Sequence, residues 1–127
     1  MSFSNDMAKF AHKVNANLNE VSRAIPIALF NGVIRDTRVD TGRLRGNWQT
    51  TTGFKAPDEI ERKNKISKGS NGGSAQKEVT EEVKAFSVTY LTNNLPYAMV
   101  YEEKDGMIAK NMARIGRNIK KAIRDIQ

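Results

Sequence analysis

The stretch "RVDTGRLRGNWQ", Arg38–Gln49, decides how the chain is read: three arginines, a leucine and the only tryptophan share twelve positions with the turn formers Asp40 and Gly42. Asp40 can accept hydrogen bonds from the amides that follow it, Thr41 can do so more weakly, and Gly42 can take a positive φ that a Cβ resists. These three residues read as a corner. Beyond it, Leu44, Gly46, Trp48, Thr50, Thr52 and Phe54 alternate with Arg45, Asn47, Gln49, Thr51, Gly53 and Lys55, the period of two of a half-buried strand. The pattern predicts a helix, a tight turn and a first long strand, with Trp48 toward the core and the arginines on the solvent or partner side. No histidine or carboxylate pair accompanies those arginines at a spacing that implies chemistry.

Upstream, Met7, Phe10, Ala11, Val14, Leu18, Val21 and Ile25 recur on one helical face, so an amphipathic helix is expected from about Asn5. Pro26 lacks an amide donor and crowds the preceding turn, which predicts a kink or two abutting helices there. Ile27, Leu29, Phe30, Val33 and Ile34 continue the pattern as the more deeply buried half, to about Thr37.

Downstream, residues 57–73, "PDEIERKNKISKGSNGG", keep no period over seventeen positions, longer than the ~12–15 residues usual for a structureless connection. A flexible or partner-ordered loop is expected, with Arg62, Lys63, Lys65 and Lys68 meeting that partner. Ser74 reads as the N-cap of a short helix carrying Ala75, Val79, Val83 and Phe86 on one side, a strand being the alternative. Phe86, Val88 and Tyr90 then alternate with Ser87, Thr89 and Leu91 as a strand that stops at Asn93 and Asn94. Pro96 fixes a turn, Tyr97 and Tyr101 fall one helical turn apart, and Asp105-Gly106 restarts the chain into a long helix. Its Ile108, Met112, Ile115, Ile119, Ile123 and Ile126 form an apolar core stripe. Lys110, Arg114, Arg117, Lys121 and Arg124 form a basic stripe about 200° away, taking ~100° per residue. Gly32 and Gly116 inside helices cost about 1 kcal/mol each against alanine, which predicts close backbone packing at both. The whole reads as a single-domain α+β protein over residues 1–127, a small mainly antiparallel sheet packed against long N-terminal and C-terminal helices.

With 127 residues and 39% hydrophobic side chains the chain supports one modest core. No apolar run approaches the ~20 residues that span a bilayer, and the first residues, with Asp6 and His12, lack a signal-peptide core, so no membrane partner and a cytoplasmic site of synthesis are expected. The absence of cysteine excludes disulfides, thiolate nucleophiles and cysteine-ligated metals. The net charge of +7 is uneven: residues 106–127 hold six Lys or Arg against one Asp, a balance of +5, and the other 105 residues carry +2. Such a surface suits a solvated face, an acidic protein or a phosphate backbone. His12, the only histidine, falls on the polar side of the first helix near Lys9 and Lys13 and reads as a bystander. Glu81-Glu82 and Glu102-Glu103 are adjacent pairs, which in a helix diverge by ~100° and make no dyad. With no phosphate-binding glycine loop, zinc spacing, nucleophile elbow or dinucleotide fingerprint, no catalytic, metal or cofactor residue is expected, and the chain reads as no enzyme.

Two punctuated segments together carry a likeness. "VDTGRLRGNW" (Val39–Trp48), followed about forty residues on by "NNLPYAMVYE" (Asn93–Glu102) and then Gly106-Met107, resembles the tail-completion or neck protein family of long-tailed bacteriophages, the group of lambda minor tail protein Z. The match runs in order from about Ile27 to the C-terminus. It departs in two places: Arg38 stands where the family usually has proline, and the connection before glycine-methionine is shortened to Glu103-Lys104-Asp105. The resemblance implies a virion structural protein without catalysis, a homo-oligomeric ring expected to hold six copies. The ring would join the head connector or adaptor to the tail terminator or tail tube in the neck of the virion, assembled in the host cytoplasm. Under it, Asp40, Thr41, Gly42, Trp48 and Pro96 fix the structural corners. Arg43, Arg45, Tyr97 and Glu102 are candidate subunit or partner contacts. Lys110, Arg114, Arg117, Lys121 and Arg124 are the candidate basic face, open to passing DNA by non-specific contact. The alternative is a basic, non-specific nucleic-acid-binding accessory protein.

Overall fold

The computed structural model describes residues 3–125. Among these it is an α+β fold in which six helices surround a two-stranded antiparallel sheet. The order is α1 (Phe3–Val14), α2 (Leu18–Arg35), α3 (Arg43–Gly46), β1 (Trp48–Thr52), α4 (Ser74–Glu82), β2 (Thr89–Asn93), α5 (Ala98–Asp105) and α6 (Met107–Arg124).

The first helical break falls upstream of the expected one. Asn15 adopts the left-handed conformation (φ 55°) and the Ala16 amide reaches back to Ala11 O at 2.9 Å, closing α1. Asn17 then caps α2: its Oδ1 accepts from the Glu20 amide at 2.9 Å, and its Nδ2 donates to Glu20 Oε1 at 3.0 Å. Pro26, expected to kink or split the helix, lies inside an uninterrupted α2. The asparagines supply both a stop and a start, which the proline does not. The turn folds α1 back so that Met7 and Ala11 bury against Val21, with Phe10 and Ile25 beside them.

The main core gathers Val33 and Ile34 from α2, Trp48 from β1, Ala75 and Val79 from α4, Val83 just beyond it, and Met107 from α6. Trp48 faces this core as the alternation predicts, and its Nε1 donates to Thr37 Oγ1 at 2.8 Å, while Thr37 donates to Val33 O at 2.7 Å. The indole is thus buried with its one polar atom satisfied. The strand is shorter than expected: residues 43–46 are a helical turn, and Gly53 (φ 85°) ends the extended run. Likewise β2 starts at Thr89, because Phe86 takes a left-handed turn (φ 58°) with its ring 67% exposed. Register runs from Trp48↔Asn93 to Thr52↔Thr89.

Two strands alone are marginal in water. Here the outer edge of β1 is closed by side chains: Glu78 Oε1 accepts from the Thr50 amide at 2.8 Å, and Arg62 Nη2 donates to Trp48 O at 2.7 Å. Arg62 and Glu78 also pair with each other at 3.1 Å. They complete the ladder as a third strand would. Gly73, not Ser74, takes the cap position of α4, and the far end of that helix is tied by Arg23, which donates to Thr80 O at 2.7 Å and Val83 O at 3.0 Å.

The buried line on α6 is Met107, Asn111 and Ile123, whereas Ile108 and Met112, expected in the core stripe, are exposed. Ile126 lies outside the described residues. The displacement has a cause at Gly32, where an added Cβ would stand 2.2 Å from Asn111 Oδ1. The bare glycine lets α2 approach so closely that the Asn111 amide lies under it, donating to Asp36 Oδ2 at 3.0 Å and Met107 O at 2.8 Å. That choice moves the buried line at the start of α6 back by one residue, from Ile108 and Met112 to Met107 and Asn111, whereas Ile123 is buried as expected. Close packing is therefore real at Gly32. At Gly116 it is absent: a Cβ added there would meet nothing within 4 Å.

Candidate functional site

The corner is built on Gly42. Its φ of 87° suits glycine, and a Cβ there would also meet the backbone of Asn64 at 2.7 Å. Gly42 O accepts from the amides of Gly46 and Asn64, both within 2.9 Å. Thr41, rather than the exposed Asp40, supplies the side-chain oxygen, accepting from the Arg43 amide at 3.2 Å.

Arg45, expected on the solvent or partner side, is instead fully buried. The turn at residues 43–46 points it inward, where Nη1 donates to Ile66 O (3.2 Å) and Ser67 O (3.1 Å) and Nη2 to Ser70 O (2.6 Å). Burial lowers its pKa. Several charge-assisted bonds offset the cost of desolvating a guanidinium that meets no carboxylate. The loop of residues 57–73 thereby has internal partners where the sequence suggested external ones. Asn47 Oδ1 accepts from the Ile60 amide at 2.8 Å, Arg62 donates to Gly46 O at 2.6 Å, and the Gly69 amide donates to Arg35 O at 2.7 Å. Of the loop cations only Arg62 turns inward, while Lys63, Lys65 and Lys68 remain exposed.

The two motif segments meet. Asn93 Nδ2 donates to Leu44 O at 2.8 Å, and a cleft of ≈ 310 Å³ is lined by Asp40, Thr41, Gly42 and Arg43 on one wall and Tyr97 and Tyr101 on the other. Tyr97 and Tyr101 pack edge to face, centroids 5.9 Å apart. Arg38 lies 4.5 Å over the Tyr101 ring and clasps Asp105 with two bonds of 2.7 and 2.6 Å. Arg38, followed by the charges of Lys68 and Lys110, holds the Asp105 carboxyl below its ordinary pKa.

The remaining candidates divide. Arg43 pairs at the surface with Glu59 (2.9 Å), and Pro96 is exposed at the head of α5. Glu102 caps α6, accepting from the Ile108 and Ala109 amides at 2.9 and 3.3 Å, so its carboxylate is committed within the chain. On the basic face Lys110, Arg117, Lys121 and Arg124 are exposed, while Arg114 also reaches Asp36 at 3.7 Å. His12 is exposed, and no group of three or more potential metal ligands occurs among the described residues. No helix among them is long and apolar enough to cross a membrane.

A second surface escaped the sequence reading. Between α2 and α6 runs a groove of ≈ 430 Å³ floored by Ile25, Leu29, Phe30, Ile115, Gly116 and Ile119. Met112 stands on its wall 59% exposed. The signal was present as the breadth of the apolar pattern on both helices, which exceeds what one contact face can cover. Compared with protein families, curated proteins and solved structures, the chain matches none.

Proposed function

We propose that the chain is a non-catalytic virion structural subunit, a tail-completion or neck component that joins head connector to tail tube as a homo-oligomeric ring. The observation that carries this reading is the union of the two motif segments: the corner at Asp40–Gly42 faces Tyr97 and Tyr101 across one cleft, and Asn93 bonds to Leu44. A likeness spread over distant stretches of sequence thereby becomes one physical unit, although a fold-level analogy supports function only through its site. The groove and the exposed apolar side chains of α5 and α6 support self-association, since monomers rarely leave such patches in water.

The test is twofold. Native mass spectrometry of the full chain should give one closed oligomer, and particles purified from producing cells should contain the chain in ring-like copy number. A chain that is monomeric at all concentrations and missing from particles would overturn the reading. The second reading, a basic accessory protein on nucleic acid, draws on the exposed cations of α6. It requires binding to duplex DNA whose log–log salt slope is near −0.9 per phosphate neutralised.

A further inference from the structure

α5 is eight residues long and contributes no buried residue, yet it carries Met99, 68% exposed, and Val100, 47% exposed. A helix this short has little stability of its own. Tyr101 anchors its inner side against the core, so Met99, Val100 and Glu103 project on the other side at i, i+1 and i+4, a single patch of two apolar knobs and an acid. The carboxylates around it are occupied: Glu102 caps α6 and Asp105 holds Arg38. Glu103 has no charged partner among the described residues.

The groove between α2 and α6 has the complementary make-up. Its floor is apolar, Gly116 leaves open space where any other residue would project, and Lys120, one turn further along α6, lines the wall with no charged partner among the described residues. A helical glycine costs about 1 kcal/mol against alanine. Among the described residues nothing uses the space it leaves. Asp6 lines the same groove, while on α5 Lys104 turns to the other side and lies 5.8 Å over the Tyr101 ring, leaving Glu103 as the charge of the outward patch.

Resting on the ring reading above, we infer that the α2–α6 groove receives α5 of a second copy of this chain, with Met99 and Val100 over Gly116 and Glu103 against Lys120. Knob and groove belong to different parts of one molecule and are not copies of a single patch, so the contact is head-to-tail. Repeated, such a contact closes a ring when its rotation divides a full turn. The apolar knobs supply affinity, and the charge pair fixes register and direction.

Native mass spectrometry and light scattering of the full chain, over a dilution series, test this with Glu103→Lys, Lys120→Glu, the double exchange, and Gly116→Leu. Each single reversal should weaken association by on the order of tenfold or more, and the double exchange should recover most of it. Gly116→Leu should abolish assembly while melting no lower than wild type, because the space it fills is empty within the chain. Assembly of Gly116→Leu equal to wild type would overturn the groove contact and leave the ring reading standing. Failure of the double exchange to recover would overturn the stated register. A wild type monomeric throughout would overturn the contact, and the ring reading falls with it when particles also lack the chain.

Discussion

The molecule has two sides that treat their side chains in opposite ways. Around the corner, polar groups turn inward: Arg45, Asn47 and Asn64 are buried and bonded to loop backbone, and Arg62 and Glu78 finish the edge of β1. On the helical side apolar groups turn outward: Met112 stands exposed at a groove floored by Gly116, and Met99, Val100 and Ile108 lie in water elsewhere on α5 and α6. The first side turns most of its polar groups to partners within the chain, with Arg45 Nε and Thr50 Oγ1 the buried atoms left without one among the described residues. The second leaves unsatisfied what another protein surface satisfies best. The contrast teaches that the inward-turned half is a scaffold, and that Arg45 and Arg62 serve the fold, whereas Lys110, Arg117, Lys121 and Arg124 of α6 stay exposed.

The largest expected effect is on the scaffold's hub. Trp48→Ala should lose ~3–5 kcal/mol in denaturant melts, through the cavity left by the ring, and it also strands Thr37 Oγ1 as an acceptor without its donor. A loss below ~1 kcal/mol would place the ring outside the core and dissolve the contrast. Next comes Arg45→Met, which keeps the length of the side chain and removes the charge. It spares the cost of burying a guanidinium but leaves the carbonyls of Ile66, Ser67 and Ser70 without their donor. The net loss should be ~2–3 kcal/mol, with faster amide exchange concentrated in residues 57–73. Unchanged exchange there would mean that the loop does not depend on Arg45.

Two helical glycines sharpen the contrast at smaller cost. Gly32→Ala should destabilise by ~1–3 kcal/mol, since its methyl would collide with Asn111 across the α2–α6 contact. Gly116→Ala should stabilise the monomer by about 1 kcal/mol, since it meets nothing. Thermal melts of the two variants should move in opposite directions. The same direction for both would erase the difference between a glycine that serves the fold and one that does not.

How far this was legible in sequence follows from the range of the interactions. Features set by local pattern were readable: the face of α4 with Ala75, Val79 and Val83, though not Phe86, the alternation around Trp48, and the restart of the chain at Gly106. The mixed fold class followed from them. Readings that required knowing what lies opposite were not. Arg45 falls on the polar parity of a strand pattern, and only the helical turn forced at Gly42 directs it inward. Asn64, between two lysines, gives no sign that it packs under Gly42. The one-residue shift of the buried line at the start of α6 depends on Gly32, some eighty positions away in sequence. The Asn15–Asn17 break went unread, because the apolar period runs through it and the break was expected at Pro26, whose effect on helices is stronger in general than at this position. At the candidate site, the corner and the tyrosine turn were readable singly, but their meeting was not.

The smallest effect concerns acid. Burial pushes the Asp36 carboxyl up, but the hydrogen bond from Asn111, with Arg35 and then Arg114, more than offsets this and holds its pKa below the ordinary value. Asp105 is lowered chiefly by its hydrogen bonds to Arg38. A carboxyl whose folded pKa lies below its unfolded value, about 3.9, binds fewer protons when folded. Its contribution is therefore complete above roughly pH 4 and is lost as pH falls through the folded value. Asp36→Asn and Asp105→Asn should each lower stability near neutrality and flatten its decline below about pH 4. The two should part in high salt. The leading support of Asp36 is an uncharged amide inside the α2–α6 contact, whereas that of Asp105 is a guanidinium on the exposed Arg38. Screening should shrink the Asp105→Asn difference and largely spare that of Asp36→Asn. Equal salt sensitivity would show that Asp36 is held by its arginines rather than by Asn111, and that the close approach at Gly32 contributes packing without electrostatic support.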